Sequence, residues 1–194
     1  MKQAISDLSD MIRKIEQVLK LCRNAFNKHN FADVKKAEAL AQEVHAMAGV
    51  LTPLFLEKLK THDDAKSYVS LPGHFRRISH NLEEILMAIS QKIRDRVLFS
   101  DKGADEINIL LDETASLIHN IADLIITRNS VIAKEVGSIS DAILEKAIDY
   151  TTSHEDRLIQ GMCLPMSSSI YVHMLDAIRG IAWHGKEIAE HFAD

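Results

Sequence analysis

The sequence of 194 residues contains few of the residues that make turns, with only 7 Gly and 3 Pro. Sheet proteins need many turns, whereas helices tolerate few residues of either kind. Aromatic residues are also scarce at 5%, but hydrophobic residues reach 46%. The chain therefore has enough apolar side chains to bury a core, and its composition predicts an all-α protein.

Positive charge is not in excess, since 23 Lys and Arg stand against 28 Asp and Glu, for a formal net charge of -5. Nucleic-acid binding needs a basic surface, so we predict no nucleic-acid partner. Cys22 and Cys163 fit no metal or redox spacing. The sequence has no run of 18 uncharged apolar residues and no apolar leader segment. These absences predict a cytoplasmic protein.

Sequence motifs that are typical of enzymes are missing. There is no Gly-rich phosphate loop, no HExxH and no CxxC. The three serines at 167–169 follow Pro165 and suit the start of a helix, not the strained turn of a serine hydrolase. We therefore predict that the protein is not an enzyme.

Apolar residues recur every three or four positions through six segments, as amphipathic helices require. Ile5, Leu8, Ile12 and Ile15 show this spacing in the first segment. Pro53 is expected to kink or split the second helix, because proline lacks an N–H donor and clashes with the preceding turn. The predicted helices span about 3–28, 32–60, 72–99, 104–128, 130–160 and 165 to the end of the sequence.

Residues 100–103 form the clearest break and separate two sets of three helices. The two sets match at a shift of 103 residues, which predicts an internal duplication. Short connections favour antiparallel neighbours. We therefore expect six long antiparallel helices as two similar three-helix bundles with spectrin-repeat-like packing, residues 1–100 and 101–194, in one compact unit. Matched pairs include Leu8 with Leu111, Ile15 with Ile118, Arg76 with Arg179 and Glu84 with Glu187.

The third helix of each set resembles a helix of the PhoU family. The first copy reads Arg77-Ile78-Ser79-His80-Asn81-Leu82-Glu83-Glu84-Ile85, and the family helix is written Arg-Ile-Gly-Asp-His, then three residues, then Ile. In the second copy, His184 and the sequence Ile188-Ala189-Glu190 match the family pattern. The family's Glu and Asp positions are Arg76 and His80 in the first copy, and Arg179 and Trp183 in the second.

This resemblance implies a PhoU-like fold and a role as a regulator or accessory of phosphate transport or phosphate signalling. Such a protein would bind a membrane phosphate transporter or a sensor protein from the cytoplasmic side, and would lie at the periphery of the inner membrane through that partner. Some family members bind metal ions through paired Glu/Asp-xxx-Asp motifs.

Asp141, Glu145 and Asp149 are candidate metal ligands, because their spacing of four places them on one face of the fifth helix. Hard cations bind carboxylate oxygens, and Glu145 with Asp149 fits the family's Glu-xxx-Asp spacing. The alternative is an acidic stripe in contact with solvent.

Three further candidate ligands come from helices three and six, where histidines are spaced with glutamates on shared faces. A site built from them would also need ligands from a second helix, and the alternative is a set of structural histidines. The cofactor would be a divalent or iron-type metal ion. These candidates are His80, His184 and Glu187.

Three arginines are candidate anion-binding residues, since guanidinium groups bind phosphate and carboxylate. Arg76, Arg77 and Arg179 could hold a phosphate or a partner's carboxylate, or form simple ion pairs. Two other functions stay open from the sequence. One is a helical-bundle metal-binding protein or metalloenzyme, and the other is a helical scaffold that forms a homodimer.

Overall fold

A computed structural model describes residues 1–193, apart from the side chains of residues 63 and 64. No residue in that part of the chain lies in a β-strand, which confirms the predicted all-α fold of six long helices. A short 3-10 helix, Asp63–Tyr68, connects the second and third of them. The helices are α1 (Lys2–Lys28), α2 (Phe31–Lys58), α3 (Leu71–Arg94), α4 (Asp101–Thr127), α5 (Ser130–Ile159) and α6 (Pro165–Glu190).

The end of α3 differs from the prediction, because the helix stops at Arg94 and not near residue 99. Arg96 has a left-handed backbone with φ of 53°, and the N–H of Val97 donates to the carbonyl of Lys92. A left-handed residue followed by such a backward hydrogen bond is a common way to end a helix. Val97 then turns its side chain into the core.

Pro53 does not split α2, contrary to one form of the prediction. The helix continues through it to Lys58. Leu51 and Phe55, on either side of the proline, are buried in the core, and the hydroxyl of Thr52 donates to the carbonyl of Ala48. Tertiary packing therefore holds the last turns of α2 in helical geometry despite the missing N–H donor.

Contacts between the helices define the packing. Within the first half α1, α2 and α3 contact one another, and within the second half α4, α5 and α6 do the same. The α1–α4 and α3–α6 contacts join the halves, and the buried apolar side chains form one continuous cluster. The division into separate bundles at residues 100 and 101 stays a prediction.

The first two helices of each half share one pattern of burial, at a shift of 99 residues. Ten buried positions of α1 and six of α2 fall on buried positions of α4 and α5 at this shift. The predicted shift of 103 is wrong for these helices, but it fits the third helices, because nine of the eleven buried positions of α3 fall at this shift on buried positions of α6 or on Phe192. Four residues are about one helical turn, so the wrong shift also aligned apolar residues with apolar ones. Corresponding residues include Leu8 and Ile107, Val18 and Leu117, Cys22 and Ile121, Val34 and Ala133, and Val44 and Ile143.

The loops inside the two halves also correspond at a shift of 99. His29 and Arg128 both have a left-handed backbone with φ of 53°. The next residue in each loop, Asn30 or Asn129, accepts a hydrogen bond from the backbone N–H two residues later. Both loops therefore use the same pair of devices, a left-handed helix end followed by an Asn cap.

One helix, α2, is long and apolar enough to cross a membrane by length and composition alone, with an 18-residue window of mean hydropathy 1.3. It packs against α1 and α3, and Val34, Val44 and Phe55 lie in the core. Only 28% of that window is buried in the structure. The high hydropathy comes in part from residues 44–56, which contain no Asp, Glu, Lys or Arg.

Candidate functional site

An open groove of about 510 Å³ lies where the start of α3 meets the end of α6. The two helices run antiparallel here, so residues far apart in sequence line the same depression. Trp183 lies at this groove with 49% of its surface exposed. The lining residues are Ser70, Gly73, His74, Arg77, Trp183 and His184.

The groove continues on the other side of α3 into a second depression of about 410 Å³ that reaches α2. Gly73 and Arg77 line both depressions. His45, on α2, closes the far side, together with Arg76 and His80. We call the two depressions together the α3 groove. Neither of its two parts is lined by an Asp or a Glu.

Three histidines meet beside the groove. The Nδ1 atoms of His74 and His184 are 3.3 Å apart, and the ring centroids of these residues are 5.4 Å apart. The ring of His191 lies 5.7 Å from that of His74, and its Nε2 is 2.9 Å from the hydroxyl oxygen of Ser70. The cluster therefore connects the start of α3 to the end of α6.

Burial keeps the central histidines neutral at pH 7. It lowers the pKa of His184 to about 4, with further contributions from His74 and the Arg77 guanidinium. The pKa of His74 is also lowered, by burial first and by His191 second, and Glu187 opposes that shift. A neutral imidazole has one N–H donor and one acceptor nitrogen, so one ring donates to the other through the Nδ1 atoms and only the accepting ring keeps an N–H for a ligand.

Arg76 and Arg77 of the groove are exposed and have no counter-ion among the described side chains. Neither Arg76 nor Arg77 forms an ion pair with any side chain in the described part of the chain. Two glutamates further along α3 contact histidines. Glu83 lies 3.8 Å from His45 and 3.7 Å from His80, and Glu84 lies 2.7 Å from His173. The α3 groove is therefore a positive region on a protein of net negative charge.

The predicted metal ligands do not come together. Asp141, Glu145 and Asp149 are exposed along α5, and Asp141 accepts a hydrogen bond of 2.8 Å from Lys186. In the part of the chain that the structure describes, no group of three or more His, Cys, Asp and Glu side chains is arranged to hold a metal ion. Assignment of a metal to these residues stays a prediction.

The other predicted ligands lie in and around the α3 groove. His80 is exposed and lies 3.7 Å from Glu83 and 3.9 Å from Glu84. His184 contacts His74, and Glu187 acts on His74 through its charge. The sequence did not predict His74 or Ser70 as site residues. Their partners, His184 and His191, lie 110 or more positions later in the chain, and no spacing rule connects residues so far apart.

A second polar cluster is buried at the opposite end of the bundle. The Glu106 side chain is almost completely buried, and Arg157 and Tyr171 both donate hydrogen bonds to it. The ring of His154 stacks on Tyr171 with centroids 4.4 Å apart. Burial and the Glu106 carboxylate raise the pKa of Tyr171. Each charged group in this cluster is paired, which is the arrangement expected of a structural network.

The chain falls in the class of all-α proteins with six long helices packed around one core. No protein-family model matches the sequence, and no curated protein sequence matches it. Two solved structures give a more specific answer about the fold. One is the phosphate transport system regulatory protein PhoU from Streptococcus pneumoniae, with a TM-score of 0.86 and 9% identity, covering 98% of this chain and 92% of that one.

The other solved structure is PhoU from Pseudomonas aeruginosa, with a TM-score of 0.74 and 14% identity, covering 98% of this chain and 94% of that one. The chain therefore has the PhoU fold over nearly its whole length. This confirms the resemblance that the third and sixth helices predicted. At such low identities the likeness establishes the fold and not a shared site.

Proposed function

We propose that the chain is a non-enzymatic regulator or accessory of phosphate transport or phosphate signalling. The observation that supports this function is the fold, since 98% of the chain matches a phosphate transport system regulatory protein at a TM-score of 0.86. The lack of enzyme motifs in the sequence is consistent with it. The partner would be a membrane phosphate transporter or a sensor protein, reached from the cytoplasm.

Regulation of this kind requires only that the chain bind one state of the partner better than another. A ligand shifts an equilibrium between two states by its difference in affinity for them. A rigid helical surface meets this requirement without any catalytic group. Such a regulator therefore needs an exposed surface that can bind another protein.

The outer face of α2 is an exposed apolar surface of the kind that binds other proteins. Residues 44–56 contain no Asp, Glu, Lys or Arg, and Val50 and Leu56 are 67% and 51% exposed. At a shift of 99, Val50 corresponds to Asp149 on the acidic face of α5. Uncharged apolar surfaces of this kind mark sites of protein interaction. We propose that the outer face of α2 contacts the transporter or sensor.

Deletion of the gene tests the function directly. Phosphate uptake and expression of phosphate-starvation genes would be measured in cells grown with abundant phosphate. We expect the deletion to change one or both, and the wild-type chain to restore them. Unchanged uptake and unchanged expression in the deletion strain would remove the proposed function.

The contact surface is tested by purification of a tagged chain from solubilised membranes. We expect subunits of a phosphate transporter or sensor to co-purify, in excess over a transporter for another solute. Val50→Glu places a charge on the outer face of α2 and should abolish the enrichment. Val131→Glu is the matched control, because Val131 is 69% exposed at the start of α5, and should leave it unchanged.

Equal enrichment with both variants would rule out the outer face of α2 as the contact. Light scattering on the same proteins tests the alternative, which is that a second copy of the chain binds this face. A dimer that Val50→Glu converts to a monomer would assign this face to self-association and not to the transporter.

A further inference from the structure

We infer that the α3 groove binds a phosphate-type oxyanion, either inorganic phosphate or the phosphoryl group of a small metabolite. Arg76 and Arg77 are adjacent, exposed and without a counter-ion among the described residues. Guanidinium groups bind phosphate through paired N–H donors.

Further donors line the same groove. His74 and His184 lie in the part of the groove that Arg77 also lines, and because one Nδ1–H of this neutral pair donates to the other ring, the accepting ring keeps an N–H at Nε2 for a ligand. The groove is at the start of α3, where Ser70 makes no side-chain capping hydrogen bond. The end of α6 lies beside the start of α3, so the opposed dipoles of these antiparallel helices offset each other and the arginines supply the positive charge. Glu187 is the carboxylate that acts on His74, and it does not line the groove.

Gly73 makes room for the ligand. It lines both parts of the groove, and a Cβ atom built at this position would have no neighbour within 4 Å. The space above the first turn of α3 is therefore open between Arg77 and the histidines. Together the two depressions are large enough for a small phosphorylated metabolite, since ligand pockets are typically about 300–1,000 Å³.

An effect on transport would rest on the proposed function, because phosphate would then be the effector of the regulator. The binding itself is independent of any partner. It can therefore be measured on the purified chain, and its failure would be distinct from a failure of the deletion or co-purification experiments.

Trp183 is the only tryptophan of the chain and lines the groove, so its fluorescence reports directly on the site. We expect titration with inorganic phosphate at constant ionic strength to give a saturable change in emission, with matching heat in isothermal calorimetry. Sulfate and glucose 6-phosphate are titrated in the same way as comparison ligands. Saturation by glucose 6-phosphate at lower concentration than by phosphate identifies a metabolite as the source of the phosphoryl group.

Arg77→Gln should weaken phosphate binding by about tenfold or more, the usual loss when a charged hydrogen-bond donor is removed. Gly73→Glu puts a carboxylate into the open space beside Arg77 and should abolish binding. It should not harm the fold, because replacing a helical glycine and adding negative charge in the first turn both favour the helix.

Gly137→Glu is the matched control for the second variant. Gly137 is also helical with open space around its Cβ position, but it lies on α5, outside the groove. We expect it to bind phosphate as the wild type does. The inference is overturned if the phosphate response does not saturate and equals that of chloride, or if Arg77→Gln and Gly73→Glu bind phosphate as tightly as Gly137→Glu.

Discussion

Arg157 holds the buried carboxylate of Glu106 through two hydrogen bonds, of 3.1 Å from Nη1 to Oε1 and 2.6 Å from Nη2 to Oε2. The hydroxyl of Tyr171 donates a third, of 2.5 Å. This network joins the start of α4 to the end of α5 and the start of α6. A carboxylate in such a position is tolerable only while its partners remain, because burial of an uncompensated charge is costly.

Arg157→Ala should therefore lower the free energy of unfolding by about 3–5 kcal/mol, the usual cost of breaking a buried ion pair from one side. Tyr171→Phe removes one hydrogen bond to a charged group and should cost about 1.5–3 kcal/mol. Urea unfolding of each variant measures both effects. Arg13→Ala is the control, since Arg13 pairs with Asp10 on the exposed face of α1 and should cost less than about 1 kcal/mol. Equal losses for Arg157→Ala and Arg13→Ala would contradict the assigned burial.

Close packing between α4 and α6 depends on Gly185. A Cβ atom at this position would lie 2.9 Å from Cδ2 of Leu117 and 3.2 Å from Oγ of Ser140. Gly185→Ala should therefore destabilise the protein by about 1–3 kcal/mol, as overpacking of a core does. Thermal unfolding followed by circular dichroism measures the change.

Gly137→Ala provides the contrast, because a Cβ atom there would meet no atom within 4 Å. It should raise the free energy of unfolding by about 0.5–1 kcal/mol, through helix propensity and a less flexible unfolded chain. If both glycine variants shifted the melting temperature in the same direction, the close approach at Gly185 would be wrong.

The two cysteines should differ sharply in reactivity. Cys22 is buried in the core, and burial raises its thiol pKa, so the reactive thiolate is not available. Cys163 lies partly exposed in the connection between α5 and α6. We expect a colorimetric thiol reagent to modify one cysteine in the native protein and both in urea. Cys163→Ser should abolish the native reaction, and a native reaction that survives this change would place Cys22 within reach of solvent.

Much of the fold could be predicted because amphipathic helices require a regular spacing of apolar residues, which is visible in the local sequence. The spacing of Leu8, Ile12 and Ile15 shows which face of α1 is buried, and Pro165 shows where α6 begins. The residue offset that aligns the two halves could not be determined from this spacing. A displacement of four residues moves a helix by about one turn, which leaves its apolar face in place.

The site could be predicted only in part, because it is made by contact between helices. His184 and Arg77 were candidates from their own helices, but nothing local shows that His74 and His184 touch across 110 residues. The missing counter-ions of Arg76 and Arg77 are also a property of packing. Of the acidic residues singled out by spacing, Asp141 accepts a hydrogen bond from Lys186, and Glu187 acts on His74 through its charge.

Protonation of the histidine cluster should make the protein less stable in acid. The pKa of His184 is lowered to about 4 in the folded protein, against about 6.5 in an unfolded chain. Between these values the unfolded state binds the additional proton, so the stability present above pH 6.5 is lost as the pH falls toward 4. His74 and the buried His154 shift in the same direction. The slope for one histidine is at most about 1.4 kcal/mol per pH unit, and solvent near the groove reduces it.

Melting temperatures between pH 7.5 and pH 4.5 measure this loss, and His184→Gln should make the dependence on pH shallower. Its carboxamide keeps a hydrogen-bond donor near His74 but cannot be protonated in this range. The surrounding charged groups, Arg77, His191 and Glu187, are unchanged in the variant. His80→Gln is the matched control, because His80 is exposed on α3, and it should retain the wild-type slope. Equal slopes for His184→Gln and His80→Gln would show that the half-buried histidine cluster does not control stability in acid.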